Sequence, residues 1–420
     1  MSSVLDAVEA SIKAIKERDP EIRAWESLFE DEALRAAERL DRDPGRFPLQ
    51  GLVVGVKDIF GMAGRAPGNG STSVPKGPAP AADATLISQL RAAGAVIAGT
   101  TKLTEFCWYR PCDTRNPHDL AHTPGGSSSG SAAAVAAGMV PVAIGTQTNG
   151  SVIRPASFCG VYGFKPSFGV LSTSGMTRIS RSLDHAGIFA RDTGTLLRVF
   201  EALAPRFQRP AGTGHQSAPP ARDTYTIGVL DVAGISALTD AGRAAFDEYT
   251  ARLAEQGHTV RTIPVPEWTS SVLEVFESVF LPEAYGLLGH LLARNAEQIG
   301  PEFRSVLERG SVRSLESYLA GLAAKDRLEG KVAECFGDCD LIVMPSALGP
   351  APEGLGSTGD PRMSTLTSLA GIPCASIPVG TDAQGLPLGV QVCGRKYDDL
   401  AVLSALTRLP STVVRPASWS

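Results

Sequence analysis

Gly125-Gly126-Ser127-Ser128-Ser129-Gly130-Ser131, followed by Gly145-Thr146-Gln147-Thr148-Asn149-Gly150-Ser151, decides how this chain is read. Both stretches are loops of small residues. Between them the pattern predicts an Ala-rich helix over 131–138 and a buried strand over 140–144. Upstream, an apolar run over 52–56 ends in one lysine, Lys57-Asp58. A lysine and two loop serines can supply a base, a proton relay and a nucleophile without any histidine. That combination points to amide hydrolysis.

The flanking sequence alternates helix and strand. Residues 3–42 read as two amphipathic helices around Pro20, and 61–82 as a Gly/Pro/Ser loop. A helix over 85–93 stops at Gly94 and leads to a strand over 95–98. Residues 107–130 form a long irregular stretch broken by Pro111, Pro117 and Pro124, a length usual for functional loops. After a Pro- and Gly-rich surface linker over 205–223 come strands at 225–230 and 260–263, with a helix over 241–256 between them. A mostly helical region spans 272–337, and strands follow at 340–345, 374–379 and 388–392. This order predicts one continuous α/β domain over 1–420.

Composition narrows the function. The chain has 420 residues, is 43% hydrophobic and 20% charged, and carries a net charge of -5 with no basic stripe. No nucleic-acid partner is expected. No apolar run has the length of a membrane span, and the N-terminus lacks a signal pattern, so a cytoplasmic location is expected. The seven cysteines are sparse and unmatched, and no two of the six histidines pair in a metal-binding pattern. They read as reduced and structural, and neither a metal nor an organic cofactor is expected.

Two other chemistries fit fragments of the pattern. Gly126-Ser127-Ser128-Ser129-Gly130 matches a nucleophile elbow centred on Ser128. That elbow needs an apolar strand leading into it, and residues 116–124 are polar and broken by proline. Its triad would also need separate Asp and His residues downstream, whereas Asp184 and His185 are adjacent. A phosphate loop lacks its Gly-Lys-Ser/Thr ending.

Taken together, the motifs resemble the amidase signature family, which hydrolyses amides with a Ser–cis-Ser–Lys triad. The resemblance rests on Gly55-Val56-Lys57-Asp58, on 124–135 and 145–151, on Arg154-Pro155-Ala156 and on Gly163-Phe164-Lys165-Pro166. Ser127 and Ser151 stand 24 residues apart, as in that family. Core motifs fill about 50–190, and 357–361 and 371–373 extend the likeness towards the C-terminus.

The resemblance implies a single large domain with a central mixed sheet covered by helices on both faces. It implies Ser151 as nucleophile, Ser127 as relay after a cis Gly126–Ser127 bond, and Lys57 as base. Backbone N–H groups of Thr148, Asn149, Gly150 and Ser151 would form the oxyanion hole. Gln147 and Asn149 stand where Asp and Gly are commoner, which bears on substrate fit. Arg154, placed as in short malonamidase-type bacterial members, would bind a substrate carboxylate or brace its loop. Ser128 and Gly126 would also touch substrate. Ser129 and Ser131 read as turn and cap residues, and Arg178 and Arg181 as exposed. The implied partner is a small-molecule amide, with a homodimer left open. The alternatives are a glutaminase-like subunit of an amidotransferase and an acyl-transfer enzyme.

Overall fold

A computed structural model describes residues 3–43, 45–204, 220–232 and 235–416. Most of the linker expected at 205–223 lies outside the described residues. The strands are β1 (Trp25–Leu28), β2 (Val53–Lys57), β3 (Val96–Thr101), β4 (Val142–Gln147), β5 (Tyr162–Lys165), β6 (His185–Ala190), β7 (Thr226–Leu230), β8 (Thr259–Ile263), β9 (Leu341–Pro345), β10 (Cys374–Thr381) and β11 (Pro387–Cys393). The helices are α1 (Val4–Ile22), α2 (Glu30–Arg42), α3 (Thr85–Ala92), α4 (Ser129–Ala136), α5 (Ile153–Phe158), α6 (Thr193–Leu203), α7 (Asp240–Glu255), α8 (Val272–Leu288), α9 (His290–Asn295), α10 (Pro301–Ser311), α11 (Leu315–Cys335), α12 (Arg362–Leu369) and α13 (Asp399–Leu406).

All these strands join one mixed sheet in the order β1-β3-β2-β4-β6-β5-β10-β11-β9-β7-β8. The β3-β2-β4 and β9-β7-β8 segments are parallel, and the remaining pairs are antiparallel. The parallel strands β2, β3 and β4 are buried along their whole length, because both faces of the sheet are covered there. Alternate residues serve different cores. Val54, Ile97, Ile144 and Ile188 face one apolar cluster, while Val53, Ala98, Ala143 and Phe189 face the other. Helices α1, α2 and α4 seal the second face, and α3, α6 and α8 contribute to the first. The expected α/β architecture is therefore present. Among the described residues no helix is long and apolar enough to cross a membrane.

The N-terminus differs from the sequence reading. Helix α1 runs through Pro20 to Ile22, and Arg23 closes it in the left-handed region with φ 58°. Pro20 sits in the last turn, where the missing N–H costs one hydrogen bond at the helix end. Residues 25–28, expected to continue a helix, instead form the edge strand β1 against β3. Strands β5 and β6 and helix α12 were also not expected. Their small and mixed residues carry weak periodicity, and packing decides their state.

Candidate active site

Strand β2 ends at Lys57, whose side chain is completely buried. Its Nζ lies 2.7 Å from Thr146 Oγ1, 2.8 Å from Ser127 Oγ and 3.1 Å from Ser128 Oγ. These partners are three hydroxyls, with no carboxylate among them. Burial pushes the amine below the ordinary lysine value, and Cys107 and Asp184 oppose this only in part. The Gly126–Ser127 peptide is cis.

Ser127 and Ser151 line one small cavity of about 20 Å³ together with Thr148, Asn149, Gly150 and Arg154. That volume holds about one water-sized group. Among the described residues, the Ser151 hydroxyl and the backbone N–H groups of 148–151 have no protein partner. Donors left open in a buried turn are available to a ligand oxygen.

The turn is held from several sides. Gln147 Oε1 accepts from the N–H groups of Val152 (2.7 Å) and Ile153 (3.0 Å), and its Nε2 donates to Ser368 Oγ at 2.9 Å. A neutral amide thus satisfies two N–H groups at the start of α5. Ser368 Oγ also donates to the Asn149 carbonyl, and Thr365 Oγ1 donates to Asn149 Oδ1 at 2.8 Å. Asn149 therefore engages α12 with its side-chain oxygen. Thr148 Oγ1 donates to Asp184 Oδ1 at 2.6 Å, while Asp184 Oδ2 accepts from Ile179 and Ser180 N–H at 2.9 and 3.0 Å. Burial pushes the Asp184 carboxyl up to about 6. Glu283 on α8 accepts from Ser182 N–H, the Ser182 hydroxyl and Tyr318 Oη, which fixes the adjoining segment.

Ser128 has a different place from the expected substrate contact. It is fully buried, donates to the Thr146 carbonyl at 3.1 Å and accepts from Thr146 N–H at 3.2 Å. With its one proton committed, it meets Lys57 only as an acceptor. The Gly126 carbonyl is likewise taken, by Arg154 Nη2 at 2.8 Å. Ser129 closes its turn by donating to the Gly125 carbonyl, but Ser131 is no cap. It lies inside α4, 2.7 Å from the Thr101 hydroxyl and 3.0 Å from the Ile144 carbonyl. Arg181 is exposed and Arg178 half-buried.

Arg154 braces two loops. Its Nε donates to the Thr358 carbonyl at 2.7 Å, and its Nη2 also reaches Thr358 Oγ1 at 3.3 Å. Its Nη1 is buried without a partner. Burial lowers this guanidinium to about 10. Two of its three nitrogens are thus committed to protein oxygens, so a two-pronged grip on a carboxylate is not free.

The far wall comes from a turn at the start of the long irregular stretch over 107–130. Phe106 and Cys107 both have positive φ, 45° and 58°, rare for residues other than glycine. Phe106 stacks on Phe303 and Trp108 on Phe280, with centroids 4.9 and 4.5 Å apart. The turn places Cys107, Trp108 and Tyr109 on the cavity. His185 is buried, well below the ordinary histidine value, with Nδ1 held 2.6 Å from the Leu183 carbonyl, and it does not line the cavity.

The family model described as Amidase matches residues 6–403. A glutamyl-tRNA(Gln) amidotransferase subunit from Anaeromyxobacter dehalogenans (strain 2CP-C) is 33% identical, covering 97% of this chain and 92% of that protein. The native peptide amidase of Stenotrophomonas maltophilia superposes with a TM-score of 0.82 at 26% identity, covering 99% of this chain and 96% of the other. A protein from a vestigial complex that reveals the origins of an s-triazine catabolic enzyme gives a TM-score of 0.87 at 28% identity, over 99% and 96%.

Proposed function

The chain belongs to the amidase family and is an amidohydrolase acting on C–N bonds, and on that premise we propose that it hydrolyses a small or medium carboxamide through an acyl-enzyme on Ser151. The observation that carries this reading is Lys57: fully buried, free of carboxylate partners and 2.8 Å from the Ser127 hydroxyl.

A neutral amine at Lys57 donates its two N–H groups to Ser128 and Thr146, and its lone pair then faces Ser127. Ser127 gives its proton to Lys57 while taking the proton of Ser151, whose oxygen attacks the carbonyl carbon. The oxyanion forms against the open N–H groups of 148–151, where loss of one donor costs about 10²–10³ in rate. As the C–N bond breaks, the proton returns through Ser127 to the leaving nitrogen. Water then repeats the sequence to release the carboxylate. Ammonia or amine release should vanish in Ser151→Ala and Lys57→Ala while circular dichroism and Tm show a folded protein. Full activity in either variant refutes the triad.

In this reading Arg154 Nη1, buried without a protein partner, meets a neutral polar group of the substrate, such as an amide oxygen. An unchanged kcat/KM for neutral amides in a folded Arg154→Ala overturns that role. A second reading, a glutaminase-like subunit, is favoured by the similarity to the amidotransferase component. Glutamine turnover only after addition of a copurifying partner would establish it.

A further inference from the structure

Beside the small cavity lies a second, open cleft of about 630 Å³. Ser127, Ser151 and residues 148–150 line the small cavity and not the cleft, while Tyr109 and Pro361 line both. This division orients a substrate. If Ser151 attacks, the carbonyl oxygen faces the N–H groups of 148–151. The leaving nitrogen must lie within hydrogen-bond reach of Ser127. Both therefore lie at the small cavity, which is too small to take the body of a substrate as well. The third substituent, the acyl body, leaves past Tyr109 and Pro361 into the cleft.

The cleft walls are mostly carbon, from Phe158, Leu273, Leu348, Pro350, Pro352 and the Tyr109 ring. Leu273, an apolar side chain at its edge, is 51% exposed. The charged side chains lining the cleft among the described residues are Asp360 and Arg362, and they pair with each other at 2.9 Å. A charge-balanced apolar cleft favours a neutral apolar ligand and leaves an anionic one desolvated without a partner.

We propose that the substrate is a neutral primary carboxamide whose apolar acyl body lies in the cleft between Tyr109 and Leu273, with ammonia as the leaving group. The proposal rests on the amidase reading above. Its reaction is the exchange of one C–N bond for one C–O bond, with water as the only co-reactant.

The test measures ammonia or methylamine release from acetamide, butanamide, hexanamide, N-methylhexanamide, succinamate and glutamine. kcat/KM should rise by about fourfold per methylene from acetamide to hexanamide, the value of burying one CH₂. N-methylhexanamide should be slower by roughly tenfold or more, since an added methyl overfills a tight site. Leu273→Asp and Tyr109→Ala should lower the hexanamide-to-acetamide ratio. Leu273→Asp changes an exposed residue and leaves the fold in place. A flat chain-length series, a preference for succinamate or glutamine, or faster turnover of the N-methyl amide overturns the proposal. If turnover occurs and a fluorophosphonate labels Ser151, such a result refutes the apolar arm alone. No turnover of any amide together with an unlabelled Ser151 refutes the amidase reading and the proposal with it.

Discussion

Replacing Asp184 by Asn keeps the shape of this side chain and removes its charge. The carboxyl is pushed up to about 6 from the ordinary 3.8, because burial outweighs the hydrogen bonds from Thr148, Ile179 and Ser180. A raised carboxyl favours the protonated folded state. Its stabilising effect is complete below 3.8 and is lost as pH rises through about 6. At pH 7, ionised Asp184 costs about 3 kcal/mol relative to the neutral acid, from a shift of about two units. At pH 4 the same linkage leaves about 0.5 kcal/mol. Asn carries no such dependence. Its oxygen can accept from Ile179 and Ser180, while its NH₂ turns to Thr148, whose hydroxyl then accepts. The stability of the wild type minus that of Asp184→Asn should therefore rise by about 2 kcal/mol from pH 7 to pH 4. Urea unfolding of both proteins at pH 4, 5, 6 and 7 reads this difference. Asp58, also pushed up to about 6, is present in both and cancels. A difference constant across that range refutes the assignment of a buried, destabilising charge to Asp184.

Three further outcomes are expected. Thr146→Val removes the 2.7 Å acceptor of Lys57 and leaves a buried N–H unpaired, at about 1–3 kcal/mol; kcat should fall, and the acid limb of the pH–rate profile should move to lower pH because the ammonium loses more than the amine. Gln147→Leu breaks the bonds to Val152, Ile153 and Ser368, so thermal denaturation should show lower stability and kcat should fall as the turn at 148–151 loosens. Gly130→Ala drives a methyl into the Ala24 carbonyl and within 2.6 Å of Lys102 N; the expected cost is about 1–3 kcal/mol, read as a lower urea midpoint with unchanged m.

The legibility of this protein follows contact range. The apolar runs of β2, β3 and β4 and the turn residues between them announce an α/β sheet, because strand burial and turn chemistry are local properties. The motifs around Lys57, Ser127 and Ser151 also name the amidase family from sequence. Tertiary structure alone reveals the contacts that shape the site. Ser368 and Thr365 reach Asn149 across more than two hundred residues, and no periodicity marks them. Ser128 looks in sequence like its neighbour Ser127, yet the backbone turns its hydroxyl to Thr146 and Lys57. Arg154 reads in sequence as either a carboxylate fork or a loop brace, and only the fold shows the Thr358 and Gly126 carbonyls taking two of its nitrogens. Residue types and local spacing are written in the chain, so they set the fold class and the reactive groups. Which lone pair each hydroxyl presents, and which cavity holds the substrate's bulk, depend on packing between distant segments, and only the folded chain decides them.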